Sequence, residues 1–131
     1  MNATLAASST HATARWHELI ALPPHRDAAE AFDAAIEALI RDFGAEVIWV
    51  FGSCARGCPT RHSDVDFLII RSPKPDCPRP ATAARLCLAR LPYFLPHDII
   101  VLTPTEWEQR CRRPTGVYQE VATAGIRVYA R

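Results

Sequence analysis

Lysine is almost absent from this chain: of its fifteen basic residues fourteen are arginine, and only Lys74 is lysine. None of Gly44, Gly52, Gly57, Gly116 and Gly125 is followed by a lysine. A Walker-type phosphate loop, whose lysine reaches the phosphates, is therefore excluded. Long apolar runs are also missing, and nothing approaches the roughly 20 residues that a membrane-spanning helix requires. No excess of charge exists either, because fifteen basic and fourteen acidic residues leave a net charge of +1. That balance supplies no general attraction to anionic lipid or nucleic acid, so strong nucleic-acid binding is not expected and any polyanion contact must be local. The five cysteines are odd in number and irregular in spacing, which argues against a disulfide framework. Residues 1 to 25 lack a charged start, apolar run and cleavage site. The expectation is a cytoplasmic protein with free thiols. Cys54, Cys58 and His62 recur at intervals of four, but without a paired C-x-x-C set they make a poor zinc signature.

What is present fits one domain. The chain has 131 residues, 49% of them apolar and 22% charged, enough to fill a single core and keep a polar surface. Residues 1 to 25 read as an extension, frayed over 1 to 12 and helical from Arg15 to Leu22, before a domain covering 26 to 131. From Asp27 to Phe43 apolar residues recur at Phe32, Ile36, Leu39, Ile40 and Phe43, the period of an amphipathic helix, with Gly44 as its cap. Val47 to Phe51, Val65 to Ile70 and His97 to Leu102 are short, β-branched and apolar, and predict strands. Four prolines between Arg71 and Pro80 mark a surface loop, followed by a helix over Ala81 to Leu91. Thr103-Pro104-Thr105-Glu106 combines a capping threonine, a first-turn proline and a glutamate three residues after the cap, which starts another helix. A last helix over Val117 to Ala124 stops at Gly125, and Ile126 to Ala130 returns as an edge strand. Strands and helices do not alternate regularly, so the expected class is α+β with a mixed sheet.

The chemistry concentrates in Phe51-Gly52-Ser53-Cys54-Ala55-Arg56-Gly57 and, after a polar loop, Ser63-Asp64-Val65-Asp66. Gly52 lets the backbone approach a ligand closely where a strand turns. Ser53 adds a hydroxyl beside the exposed N–H groups of a helix start, a combination suited to phosphate. Asp64 and Asp66 stand two apart at the start of a strand, so side-chain alternation puts both carboxylates on one face. Two like charges there call for a cation, and oxygen-only ligands beside a phosphate site suit Mg²⁺. Asp98 opens the third strand and completes a three-carboxylate site if that strand lies beside the second. Arg56 could assist the phosphates or pair structurally with a carboxylate. Trp49 and Phe51 read as core rather than base-stacking groups, and His62 and His97 as neighbours of the acidic positions.

The ordered set Gly52-Ser53, Ala55-Arg56-Gly57 and Ser63-Asp64-Val65-Asp66 resembles the DNA polymerase β-type nucleotidyltransferases. Within them it is similar to the minimal nucleotidyltransferases often encoded beside a HEPN-domain partner. The resemblance covers roughly Phe32 to Ala130. It implies that Gly52 and Ser53 hold the β- and γ-phosphates of a nucleoside triphosphate, most readily ATP. It implies that Asp64 and Asp66 bind two Mg²⁺ ions, and that Asp98 touches the one activating an acceptor hydroxyl. A chain this small has no room for a further domain gripping tRNA or an antibiotic, which makes a protein acceptor attractive. The resemblance then implies an antitoxin that adds AMP to a tyrosine of a HEPN toxin. The alternative is a non-catalytic antitoxin or nucleotide-binding module that neutralises its partner by covering it.

Overall fold

The computed structural model describes residue 16 and residues 18 to 131. Among the described residues the order is α1 (Ala28–Ala38), a π-helical turn (Leu39–Phe43), β1 (Val47–Phe51), α2 (Ser53–Arg56) and β2 (Val65–Ile70). Then come α3 (Pro80–Ala89), β3 (His97–Leu102), α4 (Pro104–Arg112), α5 (Gly116–Ala124) and β4 (Ile126–Ala130). The four strands form one mixed sheet in the order β3-β2-β1-β4. β1 runs antiparallel to both β2 and β4, while β2 and β3 are parallel. The class is α+β, as the irregular succession of elements indicates.

Alternation along the strands divides the core into two layers. Ile48, Val50, Val65, Phe67, Ile69 and Ile99 face α1, the π-helical turn and α3 and join their Phe32, Ile36, Leu39, Ala84 and Leu88. Phe51, Leu68, Ile70 and Leu102 face the other way, where Val121 of α5 and the partly buried Trp49 and Trp107 cover them. The two faces differ in depth: α1 buries six residues, α4 none and α5 only Val121. Trp49, expected in the core, is half-buried and packs with its ring 6.0 Å from that of Trp107.

Local signals account for the element ends. The first helix reaches Phe43 as its period predicts, but its last turn widens to π form. Gly44 then leaves it with φ of 84°, the left-handed cap that glycine adopts without strain. The predicted cap of α4 is a full capping box: the Thr103 hydroxyl accepts from the Glu106 N–H at 3.1 Å, and the Thr103 N–H donates to the Glu106 carboxylate at 2.8 Å.

The frayed stretch read over 1 to 12 lies outside the described residues, as do Arg15 and His17 of the short helix. Several of the described residues before residue 26 pack against the domain. Trp16 and Ile20 are buried in the first core layer, Pro23 is fully buried, and the Ala21 N–H donates to the Cys54 carbonyl at 3.0 Å. The Trp16 ring lies 4.5 Å from that of Phe32, which stacks in turn on Phe67 at 5.8 Å. Trp16→Ala therefore removes a core side chain, and urea unfolding should show a loss of about 3–5 kcal/mol. A change under about 0.5 kcal/mol, the usual range for surface positions, would mean that the segment is not part of the cooperative unit.

Candidate active site

Two strand registers assemble the site. In the antiparallel β1–β2 pair Phe51 lies opposite Asp66, which puts Gly52, the next residue, at the end of the sheet where β2 begins. In the parallel β2–β3 pair Asp66 is in register with Asp98. Side chains in register on adjacent strands share a face, and Asp66 and Asp98 share theirs with Leu68, Ile70 and Leu102, the face covered by α4 and α5. Asp64 precedes β2 by one residue, two positions from Asp66. Asp64 and Asp98 are exposed, whereas Asp66 is half-buried. The registers thus bring Asp66 and Asp98 together beside Gly52 and Ser53, and Asp64 and Arg56 lie near enough for their charges to act on the Asp66 carboxyl.

Gly52 is required at its position for two independent reasons. Its φ of 75° and ψ of −155° belong to a backbone region that only glycine occupies readily. A Cβ built on it would also lie 2.2 Å from Asp66 Oδ2, inside any tolerable contact. The carboxylate of Asp66 is therefore pressed against the bare backbone of the turn. Ser53 begins α2, a single turn whose first N–H groups have no acceptor within the helix. That turn is anchored from beneath by Cys54, which is fully buried, and burial pushes its thiol up to about 11 with the Asp66 charge adding to the effect. Gly57 closes the turn with φ of 79° and open space around it.

Sequence reasoning missed Glu120. From α5 its Oε2 accepts the Gly52 N–H at 2.9 Å and the Arg56 Nη1 at 2.7 Å. Arg56 thus does pair with a carboxylate, and does so at the edge of the phosphate-type turn. A glutamate on the polar side of a short predicted helix looks the same as any solvated acid, so no spacing or motif could have singled it out.

The electrostatics at this end of the sheet are unfavourable. The Asp66 carboxyl is raised from 3.8 to about 6, first by burial and then by the charges of Asp98, Asp64 and Glu120, with Arg56 opposing. A hard divalent cation among these oxygens would relieve that repulsion, and the all-carboxylate donor set fits Mg²⁺. Among the described residues no three His, Cys, Asp or Glu side chains already stand gathered as a set that could hold a metal. Asp66 and Asp98 share a face and an end of the sheet, but the carboxylates do not stand close enough together to form such a set.

A glycine-serine turn thus stands beside paired carboxylates on neighbouring strands of a small mixed sheet. Residues 33–113 match the family model described as nucleotidyltransferase domain, over more than half of the chain, and the chain belongs to that family. It lies in the polymerase β-type superfamily, and its general activity is nucleotidyl transfer. A comparison with curated proteins returned no match.

Two outcomes follow from this geometry. Gly57→Ala should lose about 1–2 kcal/mol, the left-handed penalty alone, and Gly52→Ala should lose more because the clash with Asp66 adds to it; urea midpoints compare them. The second concerns pH without divalent metal. A carboxyl whose folded pKa is raised weakens the fold when charged, fully above about 6, and the penalty fades as pH falls and vanishes below the ordinary 3.8. In EDTA, Asp66→Asn should melt above the wild type at about pH 8 and level with it near pH 3.5. Adding Mg²⁺ should raise the wild-type midpoint and leave that of the variant unmoved.

Proposed function

We propose that this protein transfers a nucleoside monophosphate, AMP from ATP, to an acceptor hydroxyl, with release of pyrophosphate. The observation that carries the reading is the in-register pairing of Asp66 with Asp98 beside the Gly52–Ser53 turn. Asp64, Asp66 and Asp98 would hold two Mg²⁺ ions, which when bound neutralise the triphosphate and lower the pKa of the acceptor hydroxyl. The glycine turn and Ser53 hold the β- and γ-phosphates, so that the α-phosphorus lies toward the carboxylates. Asp98, which is exposed, would stand on the acceptor side. Positioning and preorganised charge account for most of the catalysis in such a site.

The acceptor we favour is a tyrosine of a HEPN-domain toxin, which makes this protein an enzymatic antitoxin. The motif's similarity to the minimal nucleotidyltransferases supports it. So does the near-neutral net charge of +1, which gives no general attraction to a nucleic-acid acceptor.

The test turns on Asp98. It is exposed and outside the core, so Asp98→Ala should keep the fold and any partner complex yet lose transfer by a factor on the order of 100 or more. The protein, ATP and Mg²⁺ are incubated with a HEPN protein encoded beside it, and intact mass is read. An AMP-sized gain on the partner with wild type and none with Asp98→Ala is the expected result. Equal neutralisation by both forms with no gain in mass would replace the enzyme with a module that acts by covering its partner.

A further inference from the structure

Glu120 stands outside the matched segment and outside the motif, yet it makes the closest polar contacts at the turn. Its Oε2 takes one backbone N–H, from Gly52, and one guanidinium, from Arg56. Those are the donors a phosphate oxygen takes when a bare backbone turn and an arginine bind it. The contact joins positions 68 and 64 residues apart, so it is a meeting of two elements and not a local turn habit. It also adds a further negative group to the cluster around Asp66.

Resting on the nucleotidyl-transfer reading above, we propose that Glu120 occupies the seat of a triphosphate oxygen and sets nucleotide affinity by having to leave before the phosphates enter. One Oε2 atom and one phosphate oxygen compete for the Gly52 N–H, and two negative oxygens sharing it would repel each other. The displacement is mechanically easy. The Glu120 side chain is one-third exposed, and Val121 is the one residue that α5 buries, so the carboxylate can swing to water without opening the core. Leaving the seat frees Arg56 for the phosphates and removes one negative neighbour from Asp66. The electrostatic gain therefore runs in the direction of nucleotide entry.

The experiment uses the full chain and two probes with Mg²⁺, ATP and inorganic tripolyphosphate, titrated by calorimetry into wild type, Glu120→Gln and Glu120→Ala. Tripolyphosphate isolates the phosphate seat from any contact with the base. Both variants should bind both probes roughly tenfold more tightly than wild type, the scale of one charge-assisted hydrogen bond removed from competition. Glu120→Gln keeps the shape and helix propensity of the site, so it carries the test if the alanine variant is poorly folded. Merely structural damage would loosen binding, not tighten it. Unchanged or weaker binding in Glu120→Gln, with wild type binding normally, would overturn the proposal and leave the nucleotidyl-transfer reading intact. Failure of all three proteins to bind either probe would overturn both.

Discussion

The parallel ladder between β2 and β3 is the constraint on which the site depends. An antiparallel partner in that position would bring the far end of β3 to the start of β2, with Leu102 rather than Asp98 beside the motif. The parallel register instead sets Asp66 against Asp98 and Val65 against His97. A parallel connection needs a crossover, and the chain supplies it with a proline-rich loop and α3, which packs on the same face as α1. The crossover therefore thickens one layer and leaves the opposite face, where the carboxylates emerge, under two helices that bury little. Stability is concentrated on one side of the sheet and chemistry on the other.

Asp66 shows the cost of that arrangement. It is half-buried among like charges and wedged against a glycine whose backbone tolerates no side chain. Each of these features destabilises the metal-free fold, and each is needed if a triphosphate and its cations are to come within contact of the backbone. Burial raises the carboxyl more than any single neighbouring charge. Burial by the sheet is thus the largest single source of that strain, and on the proposed reading a bound cation would relieve it. Such local frustration is expected where residues are selected for a ligand rather than for the fold.

The elements of the fold were legible because their signals were local. β-branched runs of five or six residues gave the strands. Phe32, Ile36 and Leu39 gave the first helix, and Thr103 with Glu106 gave a cap that the structure forms in full. The motif was legible for the same reason, since Gly52 to Asp66 is one continuous stretch. Asp98 was a conditional inference: its value depended on which strand β3 would join, and strand order is a long-range property. Glu120 was not legible at all, because its contacts with Gly52 and Arg56 depend on how α5 lies across the sheet. Trp16 failed to register as core for a related reason. A single tryptophan in a stretch ended by Pro23-Pro24 has no period of its own, and only its meeting with Phe32 gives it a place.

The charge distribution also determines how such a site must recruit an anion. With a net charge of +1 the molecule creates no long-range field to steer a triphosphate. At the site itself the carboxylates of Asp64, Asp66, Asp98 and Glu120 act against a single nearby guanidinium, that of Arg56. At physiological salt, screening over about 8 Å removes most of what remains at a distance. On the proposed reading, recruitment would therefore be decided at contact, by hydrogen bonds to the turn and by cations carried in with the phosphates. That favours a site whose donors are kept saturated until the ligand arrives, because a buried or half-buried N–H left bare would itself weaken the fold. The Gly52 N–H has such an acceptor in Glu120 of α5, the one that a phosphate oxygen would replace on the proposed reading.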